Sequence, residues 1–177
     1  MADAPARTLA SRIARLRVPL GFLASVLVLW LAQPTRTTLV LGGGLAVLGE
    51  ALRVWAAGHL NKSREVTSSG PYRYLAHPLY VGSSVMGAGV ALASGSLLVA
   101  VIVVVYLATT ISAAVRHEEA FLRRAFGDRY DTYRRGTVAP RAFSLRQAMA
   151  NREHRAVLGL AGAVLLLLLK ATYNGTL

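Results

Sequence analysis

The stretch GPYRYLAHPLYVGSS, residues 70–84, combines turn residues, an imidazole and three tyrosines at the start of an apolar segment. Pro78 restricts His77 to an extended conformation and is well suited to the first position of the following helix. His77 is therefore predicted just outside a helix N-terminus, where unpaired N–H groups and partial positive charge favour an anionic group. Tyr80 and Gly82 lie early in that helix, and Gly82 would leave room beside the backbone for a bulky ligand.

A second interpretation of the same stretch requires no ligand. Pro78 would then be an ordinary first residue of a helix at the membrane interface. Tyr72, Tyr74 and Tyr80 would belong to the aromatic belt that membrane proteins place at that depth. Residue types and spacing alone favour this second interpretation.

Two acidic residues, Glu118 and Glu119, follow His117 near the end of another apolar segment. Apolar positions as far as Ala125 and a C-terminal glycine at Gly127 predict that this helix continues beyond the membrane surface. Negative charge there opposes the helix dipole. Arginines could compensate as a surface network, which is the favoured interpretation, or one glutamate could accept from a ligand amine or hydroxyl. Because neighbouring helical residues point about 100° apart, the two glutamates are not expected to share one role.

Glu50 and Arg53 are three residues apart inside an apolar segment, so they can pair on one face of a helix. Charges at that depth are costly unless they pair or face a polar cavity. Two interpretations are equally open. The residues either line a polar pocket that receives a substrate, or form a self-satisfied pair near the interface. Further along the chain, the basic and aromatic segment around Tyr130 and Tyr133 could lie on the membrane surface or cover a cytoplasmic pocket.

The elements that carry these residues are predicted to be membrane helices. The chain is 54% hydrophobic, with a mean hydropathy of +0.46 and only 16% charged residues, which is too apolar for an ordinary water-soluble domain. Five apolar segments can be drawn, at residues 18–33, 38–58, 78–93, 96–115 and 155–171. The first and third are shorter than the roughly 20 residues that span a bilayer comfortably, and are expected to be short spans. The predicted fold is an all-α, polytopic membrane helix bundle of about five transmembrane helices.

The charge pattern predicts the orientation in the membrane. Lys and Arg number 20 against eight Asp and Glu, a formal net charge of +12. Nearly all basic residues lie before the first span, after the second, or in residues 116–155, which places the N-terminus in the cytoplasm and the C-terminus on the opposite side. Because orientation already explains the arginines, no nucleic-acid partner is expected. The chain has no cysteine, which excludes disulfides and thiolate nucleophiles, and no metal site is predicted.

Several short motifs occur in order along residues 45–140: GPY, HP-x-Y-x-G, a hairpin of two apolar segments, EE-x-x-L, FG-x-x-Y-x-x-Y and a later Pro. This ordered set resembles the isoprenylcysteine carboxyl methyltransferase family, which has lipid and small-thiol methyltransferases among its bacterial relatives. The resemblance implies one membrane-embedded domain over residues 1–177, with helices 18–33 and 155–171 added to the core. It also implies a cytoplasm-facing pocket for S-adenosylmethionine and a lipophilic acceptor that enters from the membrane lipids.

The resemblance implies roles for individual residues. The residues implied to line the cofactor site are Tyr72, His77, Pro78, Tyr80, Gly82, Glu118 and Glu119, with Tyr130 and Tyr133 from the closing segment. In the expected in-line displacement, a lipophilic nucleophile attacks the sulfonium methyl, and the protein contributes mainly alignment and exclusion of water. A carboxylate acceptor needs no general base. An amine or thiol acceptor does, and His77, His117 and Glu119 are the candidates.

One position departs from the family pattern, because Ala76 stands where the family usually has Arg before His-Pro. Arg73 or Arg116 could supply the missing positive charge, or the cofactor carboxylate could be held differently. The alternative function is a non-catalytic membrane scaffold or carrier, in which Ala76 marks a lost site. Neither the acceptor nor the oligomeric state can be predicted from the sequence.

Overall fold

Most of the described part of the chain is helical. The computed structural model describes residues 19–61 apart from Leu20 and Ala24, then Thr67, residues 69–126 and residues 142–177, without the side chains of His117 and residues 121–126. The α-helices are α1 (Gly21–Leu31), α2 (Arg36–His59), α3 (Pro78–Ala93), α4 (Leu97–Phe126), α5 (Leu145–Ala150) and α6 (His154–Tyr173), and a 3-10 helix spans Gly70–Arg73. These residues contain no strand, so the predicted all-α class is confirmed.

Three of the described helices are long and apolar enough to cross a membrane, namely α2, the Leu97–Ala120 part of α4, and α6. The apolar helices α1 and α3 are shorter. At about 1.5 Å per residue, the 16 residues of α3 are about 24 Å long, against about 30 Å of hydrocarbon in a bilayer. The chain is an integral membrane protein, whereas the count of about five spanning helices is not confirmed and stays a prediction.

Helices α2 and α3 are antiparallel, and their backbones touch. A Cβ atom built on Gly49 would lie 2.3 Å from the amide nitrogen of Met86, and one on Gly42 would lie 2.2 Å from that of Ala93. Such contacts are possible only because glycine at these positions of α2 has no Cβ atom, and small residues commonly let membrane helices approach closely.

The face of α3 that meets α2 contains Gly82 and Gly89, which lie against the backbone of α2. Other small residues of α3, namely Ser83, Gly87 and Ala91, are spaced four apart, so the positions of small residues alone do not decide which face meets α2. Gly87 is turned toward α4, where an added Cβ would lie 2.5 Å from Leu107.

Helices α3 and α4 form the predicted hairpin around a short turn at Gly95, whose φ of +65° suits glycine. Helix α3 nevertheless packs more extensively against α2 than against α4. The reason is that Gly82 and Gly89 of α3 lie against the backbone of α2. A groove is left between α3 and α4.

One end of the bundle is tied together by the last turn of α6. The Lys170 Nζ donates to the carbonyl oxygens of Leu29 and Trp30, both at 2.6 Å. The Thr176 hydroxyl donates to the carbonyl of Pro34 at 2.6 Å. These bonds satisfy carbonyl groups at and just beyond the C-terminus of α1, which have no partners within the helix.

The other end of the bundle is tied by α5. The Asn151 Nδ2 donates to the carbonyl oxygens of Ala57 and Leu60, each at 2.8 Å, and the Gln147 Nε2 donates to Leu60 at 2.9 Å. Helix α5 thus covers the C-terminal end of α2 and satisfies carbonyl groups that its final turn leaves open. The N-termini of α3 and α6 and the far end of α4 lie at this end, which carries the candidate site.

Candidate active site

His77 lies at the N-terminus of α3, as predicted. It is the N-cap residue, with φ −135° and ψ 65°, and Pro78 is the buried first residue of the helix. The His77 carbonyl accepts from the backbone N–H groups of Tyr80 and Val81, both at 3.1 Å. The imidazole makes no capping bond to α3, so it is available for contacts outside the helix.

The His77 ring lies between two carboxylates of α4. Its Nε2 is 3.5 Å from the Glu119 Oε1, and its Nδ1 is 4.0 Å from the Glu118 Oε2. The His77 side chain is 17% exposed, whereas those of Glu118 and Glu119 are 42% and 39% exposed. The structure therefore brings the His-Pro motif and the paired acids together at an accessible position.

Both glutamates approach the same imidazole, although the 100° turn between neighbouring helical residues suggested separate roles. The reason is the shape of the imidazole, because its two nitrogens lie on different edges of the ring. Each edge can reach a side chain that leaves α4 in a different direction. Only the Glu119 contact, at 3.5 Å, is within hydrogen-bond distance, whereas the Glu118 contact, at 4.0 Å, is at the limit of an ion pair.

The tyrosines of the motif divide into two environments. The Tyr80 ring lies 5.8 Å from the His77 ring, measured between centroids, with 43° between the ring planes. Tyr72 is half-buried in the 3-10 helix. Tyr74 is 78% exposed, which agrees better with the interfacial interpretation than with a site. Tyr72 and Tyr80 thus remain candidates for the wall of a pocket.

Gly82 does not leave the open space that its size suggested. A Cβ atom built there would lie 2.7 Å from the Arg53 Cγ and 2.8 Å from the Gly49 carbonyl oxygen. The space beside Gly82 is filled by α2. Its small size serves helix packing, and these contacts give no support to a direct place in the cofactor site.

Arg53 pairs with Glu50, as their spacing predicted. The Arg53 Nε lies 3.3 Å from the Glu50 Oε2, and both residues are largely buried. Two further partners were not anticipated. The Arg53 Nη2 lies 2.7 Å from the Glu153 Oε1, and its Nη1 donates to the Ser83 hydroxyl. The guanidinium is held on three sides, which supports the self-satisfied interpretation rather than a substrate-binding role for Arg53.

Glu153 is the residue of this network that sequence reasoning missed. It is 6% exposed and precedes α6, far along the chain from Glu50 and Arg53. The sequence holds one weak signal, an acidic residue between arginines immediately before an apolar segment. Because Arg53 also contacts Gly82 and Ser83, the network lies one to two turns along α3 from His77.

Several predicted site residues cannot be placed in this arrangement. Tyr130 and Tyr133 lie outside the described residues, and of His117 only the backbone, within α4, is described. Their assignments stay predictions. Arg73 and Arg116, the candidates to replace the missing arginine at Ala76, are exposed, and Arg73 lies close to His77 in the chain.

A family profile described as phospholipid methyltransferase matches residues 35–129, which is more than half of the chain. The chain belongs to the phospholipid methyltransferase family. The matched region contains the whole of α2, α3 and α4, and so holds His77 and both glutamates. Helices α5 and α6 and the residue Glu153 lie outside the region of this family member that matches the profile.

Curated relatives of this family member include two bacterial proteins named for metal resistance. The nickel-cobalt-cadmium resistance protein NccN of Alcaligenes xylosoxydans xylosoxydans is 33% identical over 112 residues, which cover 62% of this chain and 51% of that protein. The cobalt-zinc-cadmium resistance protein CzcN of Cupriavidus metallidurans is 32% identical over 112 residues, covering 62% of this chain and 50% of that protein. The chain spans about half the length of these relatives.

A third relative bears out the resemblance found in the motifs. The protein-S-isoprenylcysteine O-methyltransferase of Schizosaccharomyces pombe is 30% identical over 87 residues, covering 49% of this chain and 37% of that protein. No solved structure gives a significant match. Within the described residues of this family member, no group of three or more His, Asp or Glu side chains could hold a metal ion.

Proposed function

We propose that this chain is an integral membrane methyltransferase that uses S-adenosylmethionine to methylate a lipophilic acceptor taken from the bilayer. The observation that carries the proposal is the position of His77 between Glu118 and Glu119 at the N-terminus of α3. This arrangement lies inside the region that matches the phospholipid methyltransferase family. The group that accepts the methyl is proposed to be a carboxylate, an amine or a thiol.

The side chains at this position suit the charges of S-adenosylmethionine, which supplies the methyl group from its sulfonium. The N-terminus of α3 and the His77 imidazole suit the carboxylate of the methionine part. Half-exposed carboxylates at Glu118 and Glu119 can accept hydrogen bonds from an ammonium group or from ribose hydroxyls. Tyr72 and Tyr80 would line the same pocket, with Pro78 fixing the start of the helix.

The contribution of the protein would be mainly alignment of the acceptor and exclusion of water. A carboxylate acceptor would need no proton transfer. An amine or thiol acceptor must lose a proton as its bond to the methyl carbon forms, and Glu119 and His117 are the proposed bases. Glu119 is the better supported of the two, because its carboxylate lies 3.5 Å from His77.

The proposed pocket faces the cytoplasm. Arg73 and Arg116 lie at the end of the bundle that carries His77, whereas Arg36 and Lys170 lie at the opposite end. Helix α4 also ends at this end of the bundle, and residues 127–141, which follow it in the sequence, contain four arginines. An excess of arginine marks the cytoplasmic side of a membrane protein, so this end is proposed to face the cytoplasm.

Methyl transfer can be measured with the full chain purified in detergent, using S-adenosylmethionine with an isotopically labelled methyl group and total lipid extracts. We expect label in a lipid fraction, and a rate at least tenfold lower for Glu119→Gln, since a hydrogen bond to a charged group contributes about 1.5–3 kcal/mol. Tyr173→Ala, which changes a 92% exposed residue at the opposite end, should retain the wild-type rate. Folded wild-type protein that labels no lipid would contradict the proposal.

A further inference from the structure

The groove between α3 and α4 is an apolar cavity that the candidate site does not use. It has a volume of about 660 Å³. Residues from both helices line it, and those that matter for the argument are Ser84, Ala88, Leu92, Ala100, Val104 and Leu107. We call this cavity the α3–α4 groove.

The groove follows from the way α3 is oriented. Its glycine face is turned to α2, where Gly82 and Gly89 allow the two backbones to touch. The side of α3 toward α4 carries small side chains such as Ala88, and α4 packs against it less extensively. Space is therefore left between two helices that a short turn holds side by side.

The lining of the groove favours hydrocarbon and offers little to a polar group. Three hydroxyl groups line it, and each has a partner in the protein. The Ser84 hydroxyl donates to the carbonyl of Tyr80 at 3.0 Å, and the Thr38 hydroxyl donates to that of Thr35 at 3.1 Å. The Ser96 hydroxyl accepts from the first turn of α4 at 3.5 Å. Recognition would rest on van der Waals contacts and on the shape of the groove, because the surrounding lipid is as apolar as its lining.

The groove leads from the α3–α4 turn toward the candidate site. It runs beside α3 from Gly95 to Ser84, about 16 Å at 1.5 Å per residue. His77 lies at the start of the same helix, about 10 Å beyond Ser84. The groove is open to the surrounding lipid, since Val104 on its wall is 63% exposed. A chain could therefore enter sideways and keep its polar end near His77.

We propose that the α3–α4 groove binds the hydrocarbon chain of the methyl acceptor, with the polar end of the acceptor directed toward His77. This assignment rests on the proposed function. It identifies α3 and α4 as the walls of the acceptor site. The acceptor must then carry an alkyl or isoprenoid chain long enough to fill the groove.

Photolabelling tests whether the groove binds a chain. The probe is hexadecanol carrying a diazirine, offered to the full chain in phosphatidylcholine nanodiscs without any methyl donor. Val104 lines the groove, whereas Val105 does not, although they are 63% and 57% exposed. We expect saturable labelling at Val104 that excess hexadecanol suppresses, and weak labelling at Val105 in proportion to the probe. Equal, unsaturable labelling at both positions would show only bulk lipid contact and would overturn the assignment.

Two tryptophan substitutions test whether the bound chain belongs to the acceptor. Ala100→Trp fills the groove, and Val101→Trp places the same side chain on the lipid-facing side of α4. We expect Ala100→Trp to remove saturable labelling and to lower methyl transfer to extracted lipids at least tenfold, while its affinity for S-adenosylmethionine stays unchanged. Val101→Trp should transfer methyl groups at the wild-type rate. If Ala100→Trp does not fold, the ratio of saturable labelling at Val104 to labelling at Val105 in the wild type decides whether the groove binds a chain. Saturable labelling without any methyl transfer would contradict the proposed function, whereas methyl transfer that Ala100→Trp leaves unchanged would overturn only the acceptor assignment.

Discussion

Arg53 is held by two carboxylates and a hydroxyl that come from three different helices or their ends. Glu50 lies on α2, Ser83 on α3 and Glu153 just before α6. Taken by themselves, the three charged groups bring one positive and two negative charges into a largely buried position. Losing the arginine would leave two carboxylates without their shared partner, whereas losing Glu153 would leave a neutral pair.

Arg53→Met should therefore destabilise the protein more than Glu153→Gln. We expect Arg53→Met to lower the free energy of unfolding by about 3–5 kcal/mol, the usual result of removing one partner from a buried ion pair. The measurement is denaturant-induced unfolding of the detergent-solubilised chain. A smaller loss for Arg53→Met than for Glu153→Gln would contradict the description of this network.

The network also shows which contacts the sequence can predict. Glu50 and Arg53 are three residues apart on one helix, so their pairing follows from helical geometry. Glu153 reaches the same guanidinium only because α6 packs beside α2, and no local spacing encodes that contact. The approach of His77 to Glu119 was implied only by a family resemblance. Residue types alone favoured an interfacial helix start for His77 and a surface network for the two glutamates.

At the scale of elements, the main packing unit is the pair α2–α3. Backbone contact at Gly42 and Gly49 of α2 leaves no space for side chains. Gly43 and Gly44 on the same helix have nothing within 4 Å of an added Cβ. Helix α2 thus carries two glycines that its packing against α3 requires and two that this packing does not require. Substitutions of the two kinds of glycine can therefore be compared within one helix.

Gly49→Ala should separate α2 from α3, while Gly43→Ala should not. Because the new methyl group would lie 2.3 Å from the Met86 nitrogen, we expect Gly49→Ala to cost about 1–3 kcal/mol of stability. Gly43→Ala should be neutral or stabilise by about 0.5–1 kcal/mol, since alanine favours a helix over glycine. Thermal unfolding of both variants in detergent measures the difference, and equal midpoints would refute the packing described for α2 and α3.

Helix α5 caps the C-terminal end of α2 through Asn151, which donates to the carbonyl oxygens of both Ala57 and Leu60. Asn151→Ala should destabilise by about 1–3 kcal/mol, because partly buried carbonyl groups lose their donor. Asn174→Ala changes an exposed asparagine after α6 and provides the control. The same thermal unfolding assay compares them, and an unchanged midpoint for Asn151→Ala would show that water replaces the lost donor.

The helices themselves were predictable from the sequence, whereas their pairing was not. Apolar runs and turn residues gave the approximate bounds of α2, α3 and the hairpin, because hydropathy and proline act locally. Small residues occur on more than one face of α3, so the sequence alone does not decide which face meets α2.

At the scale of the whole molecule, the described residues form a bundle with two distinct ends. One end carries His77, the paired glutamates and α5, and the other carries the α3–α4 turn and the bonds made by Lys170. Composition alone predicted a membrane protein, because so apolar a chain can bury only part of its surface within itself. Composition could not fix the number of spans, since α3 is shorter than the usual spanning length.

Single cysteines can decide whether α3 crosses the membrane, because the chain has no native cysteine. Tyr74→Cys and Leu97→Cys place exposed thiols on either side of α3, at positions that are 78% and 83% exposed. In oriented vesicles, a membrane-impermeant maleimide should label Tyr74→Cys from the cytoplasmic side and Leu97→Cys from the opposite side. Tyr173→Cys should behave like Leu97→Cys. Labelling of Tyr74→Cys and Leu97→Cys from the same side would exclude α3 as a span.

The most direct test of the proposed site is the affinity of the detergent-purified chain for S-adenosylmethionine, measured by calorimetry before and after His77→Ala. We predict binding by the wild type and at least a tenfold weaker affinity for His77→Ala, since a hydrogen bond to a charged group contributes about 1.5–3 kcal/mol. Tyr173→Ala should bind like the wild type. Binding by folded His77→Ala that is as tight as that of the wild type would contradict the assignment of the cofactor to the N-terminus of α3.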